Sequence, residues 1–170
     1  LVNDGEGFLK TRKCGGIRTH AVELADLNGD GYLDVILGPG GYEPDHEFSG
    51  VIWNDGKGNF FQHNNTPFPQ YKKKWGNIPE VSAADLDNDG DLDIVNSRTG
   101  IMYVGTALQF IENLGKKNFK DHGIFPIVEA PADFKTTNQG NQWNDFIAQI
   151  RFRDLDKDGE VSQDEINKAT

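Results

Sequence analysis

One short pattern occurs three times in this chain, and it limits the possible folds more than any other feature. Ala21-Val-Glu-Leu-Ala-Asp-Leu-Asn-Gly-Asp-Gly-Tyr-Leu-Asp-Val-Ile-Leu37 is the first copy, and Val81-Ser-Ala-Ala-Asp-Leu-Asp-Asn-Asp-Gly-Asp-Leu-Asp-Ile-Val95 is the second. Ile150-Arg-Phe-Arg-Asp-Leu-Asp-Lys-Asp-Gly-Glu-Val-Ser162 is the third. Each sets an acidic, glycine-bent loop between two apolar segments. The loops open at Asp26, Asp85 and Asp154, at spacings of 59 and 69 residues. Repetition at such intervals signals an architecture built from one supersecondary unit used several times.

A second motif interleaves with the first: Val2-Asn-Asp-Gly-Glu-Gly-Phe8, Trp53-Asn-Asp-Gly-Lys-Gly-Asn-Phe60 and Glu112-Asn-Leu-Gly-Lys-Lys-Asn-Phe119. Asn-Asp-Gly between apolar flanks signals a hairpin, because these residues tolerate positive φ. The flanks read as strands, Gly50 to Trp53 into Phe60-Phe61 and Ala107 to Glu112 into Phe119. Each unit is then strand, acidic loop, strand, variable loop, strand, turn, strand. Four short strands in about 60 residues match one blade of a β-propeller. The expected fold is all-β, with about three four-stranded propeller-type blades forming a partial propeller or one completed by further copies. Residues 1–13 would form the outer hairpin of a blade, 17–63 the first repeat, 78–122 the second and 143–170 the third. Long variable loops are expected at 38–49, 62–80 and 125–143. A short helix over 163–169 would follow Ser162 as its N-cap.

Composition supports a folded chain. Of its 170 residues 36% are hydrophobic and 26% charged, which is a globular balance. The net charge of -10 argues against nucleic acid and against an anionic membrane surface, since both need a basic face. The acidic residues concentrate in the three loops, as expected if they neutralise cations. A single cysteine, Cys14, excludes an intramolecular disulfide. No apolar run approaches the ~20 residues of a membrane span. Leu1 begins in mid-pattern, without Met or a basic leader, and reads as the start of a mature, processed or excerpted chain.

The acidic loops suit calcium, a hard cation that takes about six to eight oxygens. A short loop supplies them from side chains at alternate positions, with glycine at the bend and one backbone carbonyl. The first loop offers Asp26, Asn28, Asp30, the carbonyl of Tyr32, and Asp34, bent at Gly31. The second offers Asp85, Asp87, Asp89, the carbonyl of Asp91, and Asp93, bent at Gly90. The third offers Asp154, Asp156, Asp158, the carbonyl of Glu160, and Glu165, with Ser162 at the ninth position. Its twelfth-position glutamate has EF-hand spacing. Two or three calcium ions are expected. Donors that are all oxygen disfavour zinc and copper. The intervening Leu27, Leu33, Val35, Leu86, Leu92 and Ile94 are expected to point inward and pin the loops to the core.

The Asp-x-Asp/Asn-x-Asp-Gly-x-x-Asp loops, followed by Asn-Asp-Gly-x-Gly-x-Phe turns, resemble FG-GAP/VCBS-type repeats. The third loop also resembles EF-hand and dockerin loops. The resemblance implies integrin-α-like propeller blades whose first inter-strand loop holds calcium. It also implies an extracellular or cell-surface setting, with roles in adhesion, glycan recognition or as an accessory domain of a secreted enzyme.

No catalytic constellation is evident. His20, His46, His63 and His122 are scattered, and no Gly-x-Ser-x-Gly, phosphate loop or zinc signature is present. The expectation is a non-enzymatic module that binds a glycan or an extracellular protein. The alternative is a structural unit that self-assembles or completes a larger propeller. Candidate ligand contacts are Tyr42 and His46 in the glycine-rich loop, and Trp75 after Tyr71-Lys-Lys-Lys74, read as the best exposed aromatic. Trp53, in a strand, is expected in the core.

Overall fold

The computed structural model describes residues 2–3, 9–10, 19–40, 48–69, 71, 74–131 and 146–152. Asp154, Asp156, Asp158, Glu160 and Glu165 of the third loop lie outside them, as do Tyr42, His46 and the expected helix at 163–169.

Among the described residues, ten strands form three antiparallel sheets. β1 (Val2–Asn3) pairs with β2 (Leu9–Lys10). β3 (Ala21–Ala25), β4 (Asp34–Gly38), β5 (Gly50–Asn54) and β6 (Phe60–Pro67) form the first four-stranded sheet, in chain order. β7 (Asn77–Ala84), β8 (Asp93–Thr99), β9 (Thr106–Asn113) and β10 (Phe119–Val128) form the second, also in chain order. Two four-stranded meanders with the same loop placement are the expected propeller-type blades. No α-helix occurs among the described residues.

The outer strands run further than expected. β6 continues to Pro67 and β10 to Val128, into segments read as variable loops, and β7 starts at Asn77. Each of these is the edge strand of its sheet. An edge strand needs few apolar residues and tolerates proline, which has no N–H to give to a ladder. Polar stretches such as Gln62-His-Asn-Asn65 therefore carry little strand signal.

The blades pack face to face. Pleating sends Ala21 and Ala25 of β3, Ile36 of β4, and Val51 and Trp53 of β5 to one side of the first sheet. Val81, Ile94 and Ile111 of β7, β8 and β9 leave the second sheet toward them, and together they form one apolar cluster. Trp53 is buried there, as expected, with Phe119 stacked at 6.1 Å between ring centroids. Each fully buried Val or Ile side chain of the cluster contributes about 1.5–3 kcal/mol through burial.

β8 is buried along its whole length and carries a polar network on the same face as Ile94. The fully buried Arg98 donates from Nε to Gln109 Oε1 (2.7 Å) and from Nη1 to the Trp75 carbonyl (2.8 Å). Its guanidinium lies 4.8 Å from the centre of the Tyr71 ring. Asp121 closes the network by accepting from Gln109 Nε2 (3.0 Å) and from the Tyr71 hydroxyl (2.5 Å). Nε and Nη1 find acceptors and Asp121 supplies a nearby counter-charge, which offsets part of the cost of burying the cation, while Nη2 has no hydrogen-bond partner among the described residues.

Trp75 departs from the expectation. It is only 8% exposed, with its carbonyl held by Arg98 and its ring against Gly105, where an added Cβ would approach to 3.1 Å. It is a packing residue rather than an exposed aromatic. The 146–152 segment contacts β7: Ser82 Oγ donates to the Ile150 carbonyl at 3.1 Å.

Candidate metal centre

The two described loops connect the first and second strands of their blades, and their main chains follow one path. The fourth position is left-handed in both, at Gly29 (φ 70°) and Asn88 (φ 60°). The sixth is left-handed at Gly31 (φ 85°) and Gly90 (φ 95°). Asparagine accepts this region because its short amide is small and polar, whereas most side chains are strained there.

The opening aspartate organises each bend. Asp26 accepts the amides of Asp30 (Oδ1, 3.1 Å) and Gly31 (Oδ2, 2.8 Å). Asp85 accepts those of Asp89 (Oδ1, 3.2 Å) and Gly90 (Oδ2, 2.9 Å). The fifth-position aspartates repeat this two residues on: Asp30 Oδ1 takes the Tyr32 amide and Asp89 Oδ1 the Asp91 amide, both at 2.9 Å.

In the second loop, oxygens of Asp85, Asp87 and Asp89 all lie within 4.8 Å of one another. Like charges this close repel, by about 1 kcal/mol per pair where water screens them as it does at the exposed Asp87 and Asp89, and a cation between them would relieve it. Hard oxygen donors of this kind fit calcium. In the first loop Asn28 replaces the middle carboxylate, and its Oδ1 accepts the Asp30 amide at 2.9 Å. That set is less charged.

Asp34 and Asp93, the ninth-position residues, stand apart. Both are buried at the start of a strand. Asp34 accepts from the amides of Leu27 (3.3 Å) and Asn54 (2.8 Å). Asp93 accepts from those of Leu86 (3.0 Å) and Asn113 (2.8 Å). Each carboxylate therefore ties the start of its loop to the hairpin between the third and fourth strands. Burial pushes both carboxyls above the usual carboxylate range, and neighbouring loop aspartates push the same way, while the amide bonds oppose this. The inward aspartate also explains a departure from expectation. Leu33 precedes Asp34 on the opposite side of the pleat and is 53% exposed, whereas Leu27 and Ile94 are buried as expected. Tyr32 is exposed, with its ring over Gly56, where an added Cβ would approach to 3.2 Å.

Two site residues went unnoticed in the sequence, Asn54 and Asn113. Their amides donate back to the loops, Asn54 Nδ2 to the Leu33 carbonyl (3.0 Å) and Asn113 Nδ2 to the Leu92 carbonyl (3.1 Å). Their own oxygens shape the hairpin by accepting the amides of Gly56 (3.0 Å) and Gly115 (3.1 Å). The available signal was the asparagine that opens the second motif in all three copies, even where Leu114 replaces the following aspartate.

Beside the second loop lies a cleft of about 570 Å³ lined by Asp87, Asp93, Phe110, Glu112, His122 and Phe125, among others. His122 Nε2 is 2.6 Å from Glu112 Oε2, and Phe110 and Phe125 meet edge to face.

Residues 26–95 match the FG-GAP-like repeat family. The match begins at the first aspartate of the first loop, spans both loops, and ends inside β8. No curated protein and no solved structure matches the chain.

Proposed function

We propose that this chain, an FG-GAP-like repeat protein and so a β-propeller-type repeat module, binds calcium in its acidic loops and acts as a non-catalytic recognition module. Calcium here is a clamp between strands, not a reagent. The module would work outside the cell or at its surface, on a glycan or a protein partner. The observation that carries the calcium reading is the convergence of Asp85, Asp87 and Asp89 oxygens within 4.8 Å, in a loop whose path the first loop repeats. Burial of Trp75 moves the search for a ligand surface away from that residue.

A second reading has its own support. Val22 and Leu24 on β3 are 53% and 52% exposed, on the face of the first blade turned away from the second. In the interface between the two blades, the corresponding positions of β7, Val81 and Ala83, face the neighbouring blade. A further blade, or a second copy of the chain, would cover Val22 and Leu24 in the same way. Sedimentation equilibrium separates these readings, since a monomer at high concentration would argue against self-assembly.

The calcium reading is tested by thermal unfolding in calcium and in excess chelator. An ion present at 100 times its dissociation constant stabilises the folded state by about 2.7 kcal/mol per site. Two sites in a chain of this size then raise Tm by roughly 10–20 °C. Identical melting curves would overturn the reading.

A further inference from the structure

The two hairpin asparagines are not equivalent. Asn54 serves the loop of its own blade. Asn113 serves both: one bond from Nδ2 goes to the Leu92 carbonyl in the second loop (3.1 Å), the other to the Leu27 carbonyl in the first (2.8 Å). Its backbone N–H also holds Asp93 Oδ1 at 2.8 Å. Asn113 is 1% exposed, so water cannot replace these bonds. Leu27 lies between Asp26 and Asn28, and Leu92 between Asp91 and Asp93; each carbonyl is flanked by predicted ligands. The surrounding hairpin is fastened to the first blade as well. Lys117 Nζ stands 4.6 Å from the centre of the Trp53 ring, and Phe119 packs against Trp53 and Phe68.

We infer that Asn113 is a positioning residue that couples the two loops, so that calcium in one raises the affinity of the other. The proposal rests on the calcium reading above. Its physical basis is shared ordering. A cation that fixes the second loop fixes the Leu92 carbonyl and Asp93, and through them the amide of Asn113. The first loop then finds its Leu27 carbonyl already held, and loses less freedom on binding. Coupling between sites commonly changes affinity by about 5–150-fold; one amide linking two short loops belongs near the lower end, about fivefold.

The experiment is a calcium titration of the full chain followed by NMR, with the Gly31 amide reporting the first loop and the Gly90 amide the second. Asp89→Ala removes a ligand from the second loop. In the otherwise unsubstituted chain it should weaken calcium binding read at Gly31 about fivefold, although Asp89 is no part of that loop. In an Asn113→Ala background the same substitution should leave binding at Gly31 unchanged. Should Asn113→Ala fail to fold, Asn113→Asp keeps the acceptor for Gly115 and loses both donors, and it should abolish the coupling too. Asn54→Ala is the control: it weakens the first loop, yet the effect of Asp89→Ala at Gly31 persists. An equal effect of Asp89→Ala with and without Asn113, or none in either, overturns the inference while calcium binding stands. Gly31 and Gly90 amides indifferent to calcium in the unsubstituted chain overturn the calcium reading itself, and this inference with it.

Discussion

Replacing Asp93 by alanine separates two roles that one carboxylate can play. As a metal ligand, Asp93 matters only when calcium is bound. As a tether, it matters always, because it accepts the amides of Leu86 at 3.0 Å and Asn113 at 2.8 Å. Alanine leaves both donors without their acceptor. The Asn113 amide is buried and the Leu86 amide partly so. A buried unpaired donor costs about 1–3 kcal/mol, and bonds to a charged acceptor are stronger than neutral ones. Removing the carboxylate returns something, since burying it is unfavourable, as its upward-shifted pKa indicates. The net loss should be about 2–4 kcal/mol. Asp93→Asn keeps one acceptor oxygen and should lose about half as much. The assay is urea unfolding in excess chelator, with the parent chain alongside. For a slope of about 2 kcal/mol per molar urea, the alanine variant should unfold 1–2 M earlier. Added calcium should widen the gap. If the two chains unfold at the same urea concentration in chelator and diverge only with calcium, Asp93 is a ligand alone and the tether argument is wrong.

Two further predictions follow from the second blade. Trp75→Ala should destabilise the chain by about 3 kcal/mol or more through the cavity left beside Gly105 and Arg98; a variant with unchanged stability that lost only ligand binding would restore Trp75 as a contact residue. Tyr71, with its pKa pushed up to about 12 by burial and by its bond to Asp121, should show its phenolate absorbance only near that pH, and Tyr71→Phe should remove that step. Because its folded pKa lies above the usual value of 10.0, the stability it contributes is complete below pH 10 and lost as pH rises through 12. Ionisation of Tyr71 near 10 in the folded chain would contradict the Arg98–Gln109–Asp121 arrangement around it.

The loops were legible because their chemistry is local. The spacing of the acidic residues, the bend at Gly31 or Gly90, and turns such as Asp85 to Gly90 are all set within nine residues. A repeated local pattern is visible in the sequence without knowing what touches what. The blade count in the described region followed from the same repetition. Edge strands were harder to read, since β6 and β10 need little apolar surface and therefore blur into polar loop.

Local patterns could not show which residues the packing of two sheets brings together. Trp75 sits next to three lysines and looks like a surface aromatic, yet Arg98, 23 residues on, captures its carbonyl inside the blade. Asn113 looks like a hairpin residue, yet it reaches the first loop across 86 residues of chain. The repeat and the oxygen-rich acidic loops could be read from the sequence, because each is contained in a few neighbouring residues. Which aspartates act as tethers, which aromatics are buried, and that one asparagine holds two loops emerged from the fold alone, because those depend on facing sheets and on desolvation that no stretch of sequence contains.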